Sequence, residues 1–419
     1  MKKTVLVIGG GGREHAICLA FSKSKHVGKI YCAPGNAGIA EIAQCVDIRA
    51  TDCNKIVEFA KTIKPDMVFV APDDPLSLGL VNMLQENNIN AFGPRKEGAI
   101  VESSKAFSKQ FMARHNIPTA KYQTFCSYNL ALEYLKNTSY PLVIKADGLA
   151  LGKGVIICEN LINAVMALKE IMVDKVFGEA GKEVVIEEFL TGKEITLLVF
   201  TDGKSVKLMP PSQDHKRAYD NDQGKNTGGM GAFAPTPTFT KEIEIEVLEK
   251  IVYPTINGLN KENRAFKGVL YFGLMACKDG VKVIEYNARF GDPETQVILP
   301  LLKSDFYEIC QAVIDGKLEE TEIIWQKGCS LTVVVASGGY PESVIKGYPI
   351  IIENLSNEVT LFHSGTAFRD KQLVTNGGRV FCLTAVADSI EEARNKVYKE
   401  IDKIKFNGAR YRTDIGIKL

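Results

Sequence analysis

The sequence predicts a multidomain protein that combines α/β and α+β units, and three observations predict it. Its 419 residues exceed what one hydrophobic core ordinarily serves, so at roughly 150 residues per domain two to four folding units are expected. The N-terminal part alternates β-branched runs with helix-like stretches, which is the pattern of a parallel α/β unit. The C-terminal part instead joins strand-like segments to one clear helix. With 45% hydrophobic and 24% charged residues the chain has an ordinary globular composition, so each unit can bury its own core without a stabilising device.

Taken in order, residues 4–8, 29–32, 67–70 and 90–92 read as strands with helical pattern between them. Gly93-Pro94 breaks that alternation, and a new helical stretch opens at Ser103-Ser104-Lys105 and runs to about 115, before Ile117-Pro118. The first boundary is therefore placed at 102. Residues 141–146, 155–158 and 183–189 read as strands around a helix at 161–173, forming a small lobe at about 123–190. Residues 197–276 return to strands and helices around the glycine-rich stretch 223–231, and 280–289 is a strand leading into a loop. This gives a central domain of 103–326. From 327 to 419, the strand 329–336 and the helix 389–404 indicate an α+β domain.

Charge and cysteine usage exclude several classes. Against 51 Lys+Arg stand 50 Asp+Glu, so no basic excess exists to hold nucleic acid or an anionic membrane. No apolar run has membrane-spanning length, and Met1–Ile8 meets glycines before a signal-peptide core forms. A cytoplasmic protein is expected. Its ten cysteines are scattered without a C-x-x-C pair, so reduced thiols are expected. Five histidines without an H-E-x-x-H pattern argue against a transition-metal centre.

Several motifs carry chemistry. Val5–Ile8 followed by Gly9-Gly10-Gly11-Gly12-Arg13-Glu14-His15-Ala16 reads as strand, tight turn and helix start, where backbone N–H groups and Arg13 would meet a phosphate. The dinucleotide fingerprint fails, because Glu14 or His15 stands where its third glycine belongs, and Ala33-Pro34-Gly35-Asn36 supplies no acid for a ribose. Lys145 at a strand end, followed by Gly148, Gly152, Lys153 and Gly154, reads as a nucleotide-phosphate loop, although a solvated hairpin fits equally. It is not a P-loop, being one residue short and ending in glycine. Glu187 and Glu188 on an apolar strand suit an adenosine, or simply an edge strand.

Glu285 and Asn287 lie two apart on a strand and so share a face, presenting two hard oxygens suited to Mg²⁺ held with phosphates. Arg289 continues that phase. Asp292-Pro293-Glu294 reads as a turn. Ser212–Arg217 and Asn226-Thr227-Gly228-Gly229-Met230-Gly231 combine charge with a loop that lets backbone approach a small ligand, and His215 reads as structural.

In order, the Gly9–Ala16 motif, Pro34-Gly35-Asn36-Ala37-Gly38, Ser212–Arg217, Asn226–Gly231, Arg289-Phe290-Gly291-Asp292-Pro293-Glu294-Thr295-Gln296 and the final Tyr411-Arg412-Thr413-Asp414-Ile415-Gly416 resemble the phosphoribosylamine-glycine ligase family of ATP-grasp enzymes. The resemblance runs the whole chain. It implies a central ATP-grasp domain with a mobile small lobe, and a ligation in which ATP phosphorylates the carboxylate of glycine. The amine of 5-phosphoribosylamine then displaces phosphate to give glycinamide ribonucleotide and ADP in purine biosynthesis. The residues agree with that chemistry, since a carboxylate needs a leaving group, and phosphoryl transfer needs cations and alignment more than a nucleophile.

Carried over by position, the resemblance assigns Lys105, Lys145 and Lys153 to ATP phosphates and Glu187, Glu188, Leu190 and Glu194 to adenine and ribose. It assigns Glu285 and Asn287 to Mg²⁺ or Mn²⁺, and Arg289 and Asp214 to glycine and the acyl phosphate. Gly9, Gly10, Gly11, Gly12, Arg13 and Asn36 would take the phosphoribosyl group. A monomer is expected. The sequence departs from the family's pattern twice: residues 269–277 carry no second metal-binding acid, with Gly273 near its place, and Asp73 stands where glutamate is usual. The alternative is another ATP-grasp carboxylate–amine ligase of the same pathway, against which the 213–217 and 289–294 motifs argue.

Overall fold

The computed structural model describes residues 2–149 and 154–417. Strands β1 (Lys3–Gly9), β2 (Val27–Pro34), β3 (Gln44–Cys45), β4 (Met67–Val70) and β5 (Ala91–Phe92) form a parallel sheet in the order β3-β2-β1-β4-β5. Val5, Leu6, Val7 and Ile8 are all fully buried, because helices cover both faces and a central parallel strand has no wet side. Strand order reverses between β1 and β4, so their carboxyl ends open the crevice where α/β sheets hold ligands. There β1 passes through the glycine turn into helix α1 (Gly12–Ser22). The helical stretch expected between β4 and β5 is split into two short helices, Asp73–Ser77 and Leu80–Glu86, and helix Lys96–Ser103 runs across position 102.

Ser104 caps the next helix, Lys105–Arg114, accepting from Phe107 N with its side chain. The small lobe follows as an antiparallel sheet of β6 (Tyr122–Phe125), β7 (Leu142–Ala146), β8 (Val155–Cys158) and β9 (Val184–Glu188), ordered β6-β9-β7-β8. Helices Tyr128–Lys136 and Leu161–Met172 cover one face. Alternation puts Leu142, Ile144, Val184 and Ile186 into that covered core, which leaves Val143, Lys145 and Glu187 on the opposite face, toward a cleft.

Downstream come β10 (Lys193–Thr201), β11 (Val206–Leu208), β12 (Gln213–Asp214), β13 (Arg217–Tyr219), β14 (Gln223–Asn226), β15 (Gly231–Ala234), β16 (Gly268–Cys277), β17 (Gly280–Asn287) and β18 (Cys329–Ala336). The sheet β11-β10-β16-β17 is antiparallel and floors the cleft. A third sheet runs β12-β15-β18 and continues into strands Arg379–Ala387 and Val359–His363. The C-terminal segment therefore completes its sheet with two strands drawn from before residue 327. The expected C-terminal helix is Ile390–Glu400, with Ser389 accepting from Glu392 N. No helix among the described residues is long and apolar enough to cross a membrane.

Candidate active site

A cavity of about 1110 Å³ lies where the three sheets meet, and most of the residues singled out in the sequence line it. Glu285, near the end of β17, lines it. Register explains why the two oxygen ligands arrive together. Gly273 pairs with Glu285 and Tyr271 with Asn287, while the ladder shifts between Gly273 and Leu274 and leaves Ile284 as an extra residue. Beyond the bulge, ordinary strand alternation sets Glu285 and Asn287 on one face, opposite Tyr286, whose hydroxyl meets Thr255 at 2.9 Å in the core behind. Gly273 stands directly across from the carboxylate, so no second acid reaches it from β16.

Electrostatics single out the same residue. Burial pushes the Glu285 carboxyl up, but Lys216, Lys145, Lys105 and Arg289 outweigh burial and hold it below the ordinary carboxylate range. An ionised carboxylate beside a carboxamide oxygen, in a polar cavity, is the donor set of a hard divalent cation that takes its remaining ligands from phosphate and water. Among the described residues the one group of three acidic or thiol/imidazole side chains with metal-ligand spacing is His26, Asp305 and Glu308, which do not line this cavity. Asn287 Oδ1 accepts from Arg289 Nη2 at 3.0 Å, and Arg289 pairs with Glu102 at 2.8 Å. Glu102 in turn accepts from Ala288 N at 2.7 Å, so the guanidinium is held from both sides.

The cations that face Glu285 come from separate elements. Lys105 opens helix Lys105–Arg114 and donates to Gly148 O at 2.8 Å, while Asp147 accepts from Ala106 N at 2.6 Å. Lys145 is buried on β7, paired with Glu187 on β9, and donates to Ile284 O at 3.2 Å. Lys153 lies outside the described residues. Glu187 is buried with both oxygens on lysines, the second on Lys109, so its carboxylate is not free for the adenine or ribose contact that the resemblance assigns it. Glu188 accepts from Lys121 N at 3.1 Å, and Leu190 and Glu194 line the cavity beyond it. Lys216 meets Glu194 at 2.9 Å.

Asp214 lies on the two-residue strand β12, packed by the loop that follows. Gly229 has φ +104°, and a Cβ there would sit 2.4 Å from Pro293 Cδ and 2.7 Å from Asp214 Oδ1. Only glycine allows that approach. Asp214 Oδ1 is buried without a protein partner. Burial, and then the negative charge of Glu294, push Asp214 well above the ordinary carboxylate range, and burial raises Glu294 too, against Arg289 and Lys216. A buried and a half-buried acid thus raise one another with a lysine beside them. Glu294 belongs to the stretch that reads in sequence as a turn.

The glycine turn of the N-terminal segment is placed differently from the rest. Gly9, Gly10, Gly11, Gly12 and Asn36 do not line the large cavity, whereas Arg13 and Asp73 do. Glu14 turns back to accept from Gly11 N at 2.6 Å and from Arg13 Nε at 2.6 Å, so a carboxylate already sits at the helix start. Arg13 Nη1 donates to Phe290 O at 3.1 Å. Asn36 spends its amide on Gly10 O at 2.9 Å and His363 O at 2.8 Å, and its oxygen on Gly38 N and Ile39 N. It pins the turn to the C-terminal segment. Sequence reasoning missed the residue opposite: Arg379 donates to Asp292 O at 2.7 Å and Oδ2 at 2.9 Å, and to Gly228 O. His215 is buried, and burial, followed by the Arg412 charge, lowers it to about 4, so it is neutral as expected of a structural histidine.

Comparison with known proteins decides the family. Models of the phosphoribosylglycinamide synthetase N domain, ATP-grasp (A) domain and C domain match residues 3–102, 103–295 and 330–418 in turn. The chain belongs to the phosphoribosylglycinamide synthetase family. As a member of that family it is an ATP-grasp carbon–nitrogen ligase. It is 49% identical to the phosphoribosylamine–glycine ligase of Caldanaerobacter subterraneus over 98% of this chain and 99% of that one. For the ligase of Halalkalibacterium halodurans the identity is 47% over 99% and 96%. The crystal structure of the phosphoribosylamine–glycine ligase from Thermotoga maritima superposes with a TM-score of 0.85 at 34% identity, covering 99% of this chain and all of that one. Biotin carboxylase from Campylobacter jejuni, at 15% identity and a TM-score of 0.74 over 100% and 99% of the two chains, shares the fold alone. The synthetase family therefore accounts for all three sheets that meet at the cavity.

Proposed function

We propose that this cleft joins glycine to 5-phosphoribosylamine at the expense of ATP, forming glycinamide ribonucleotide, ADP and phosphate in purine biosynthesis. The observation that carries the reading is Glu285, a half-buried carboxylate that Lys216, Lys145, Lys105 and Arg289 hold below its ordinary range in one cavity. Three units serve it: 1–102 for the sugar phosphate, 103–326 for ATP and glycine, and 327–419 to close the far wall. A cytoplasmic monomer completes the reading, the balanced charge offering no surface for nucleic acid or an anionic membrane.

ATP lies with its base along β9, near Glu188, Leu190 and Glu194, and its phosphates against Lys105 and Lys145. Glu285 and Asn287 would hold Mg²⁺ or Mn²⁺, which when bound would screen the phosphate charge. Glycine sits beyond it, its carboxylate against Arg289 and its ammonium between Asp214 and Glu294. That geometry presents a carboxylate oxygen to the phosphoryl group, and a glycyl phosphate follows. The amine of phosphoribosylamine enters from the side of Arg13, with its phosphate toward the Gly9–Gly12 turn. Its attack breaks the carbonyl–phosphate bond, and the proton lost from the new nitrogen leaves with the departing phosphate. ADP release that depends on glycine, with the ribonucleotide product appearing only when phosphoribosylamine is added, is the expected assay result. ADP release indifferent to glycine would overturn the reading.

A further inference from the structure

One buried cation in the cleft has no part in the account above. Lys109, four residues along its helix from Lys105, lines the cavity with a side chain only 3% exposed. Its Nζ donates to Thr119 Oγ1 at 2.7 Å and pairs with Glu187 Oε2. The other Glu187 oxygen holds Lys145, whose Nζ donates to Ile284 O at 3.2 Å. Thr119 Oγ1 donates in turn to Val283 O at 2.7 Å. These contacts make a closed path that begins and ends on consecutive carbonyls of β17, at the bulge just before Glu285. It joins helix Lys105–Arg114, β7 and β9 of the small lobe, and the strand bearing the proposed metal ligands.

Charge counting gives this frame a consequence. Lys145 and Glu187 alone would form a neutral pair, and a lysine saturated by a buried carboxylate attracts phosphate poorly. With Lys109 on the second oxygen, two ammonium groups share one carboxylate and the cluster keeps a net positive charge. We propose that Lys109 is a positioning residue for ATP: it takes half of Glu187, so that Lys145 stays available as a cation to the phosphates. This rests on the reading that ATP phosphates lie against Lys105 and Lys145. Burial lowers Lys109 to about 8, against the pull of Glu187, which leaves it charged at neutral pH.

Calorimetric binding of a nonhydrolysable ATP analogue with Mg²⁺ tests this, using wild type, Lys109→Met, Lys109→Arg and the double variant Lys109→Met/Glu187→Gln. Lys109→Met is expected to weaken binding roughly ten- to a hundredfold, the worth of one charge-assisted contact. The KM for glycine should not move. Lys109→Arg and the double variant should both stay within about threefold of wild type, the latter because it removes one charge of each sign and restores the net charge. A role in packing alone predicts the double variant to be no better than the single, and that result would overturn the proposal, as would unchanged binding by Lys109→Met. If a melting curve shows the single variant unfolded, the double variant decides. Binding within about threefold then supports the proposal, and more than about tenfold loss overturns it. No binding by wild type would overturn the ATP reading itself, and this inference with it.

Discussion

At the scale of single residues, we propose that the acids Asp214 and Glu294 decide which small molecule the cleft accepts. Glu294 is buried and Asp214 half-buried, desolvation raises both, and Asp214 Oδ1, itself shielded from solvent, lacks a protein partner. An α-ammonium group between them would satisfy that oxygen and relieve the repulsion, while a simple carboxylic acid without the amine would not. Asp214→Asn and Glu294→Gln are each expected to raise the KM for glycine about ten- to a hundredfold, with the KM for ATP unchanged. Steady-state kinetics with each substrate varied separately checks this, and an ATP effect as large as the glycine effect would refute the assignment. Glu285→Gln and Asn287→Ala should instead fold normally and lose turnover, with partial rescue by high Mg²⁺. A variant of either kind with wild-type turnover would remove the metal from this position. The Glu-x-Asn pair was legible because its chemistry is local: two residues on one strand face. Glu102, Lys109 and Arg379 were not, because each acquires its role from a partner far away in sequence, Arg289, Glu187 and Asp292 respectively.

At the scale of elements, the long apolar strands and the capped helices were legible, since burial on both faces leaves a continuous apolar run and a serine cap marks a helix start. The two-residue strand β12 was not, as no periodicity fits in two residues. Nor was the β17 bulge, which depends on the pairing with β16. Both place functional side chains. The loop 226–231 shows how tightly an element can constrain a site: Gly229 combines φ +104° with a hypothetical Cβ 2.4 Å from Pro293 Cδ. Gly229→Ala should therefore cost about 1 to 3 kcal/mol of stability from backbone strain, and more if Pro293 cannot yield. Displacement of Asp214 should also raise the KM for glycine. Chemical denaturation together with glycine kinetics checks both, and a variant matching wild type in each would show that the loop relaxes without disturbing the acid.

At the scale of the whole molecule, three segments meet at one turn. Asp292 accepts from Arg379 of the C-terminal sheet and from Gln296 at 2.7 Å, and its Oδ2 lies 3.6 Å from where a Cβ on Gly11 would stand. Histidines seal the same junction. His15 on α1 accepts from His363 N at 2.9 Å through Nδ1, and His363 reaches Thr366 at 3.1 Å. Burial, and next the charge of His363, lowers His15 to about 3; burial alone lowers His363 to about 4. In the unfolded chain a histidine titrates near 6.5, so below that value the unfolded state binds protons that the folded state refuses. Stability therefore rises with pH across the window and falls as pH drops from about 6.5 toward 4, by up to about 1.4 kcal/mol per pH unit for each such group. Asp214 and Glu294 act in the opposite sense, because their folded pKa values are raised and they favour the folded state as pH falls. Comparing wild type with a variant isolates the histidine contribution from theirs. His15→Asn keeps an acceptor for His363 N but cannot titrate, so its melting temperature should fall less between pH 7 and pH 5 than that of wild type. Parallel pH profiles for the two proteins would mean that the junction between α1 and the C-terminal sheet opens before His15 is protonated, and that its burial contributes nothing to acid sensitivity.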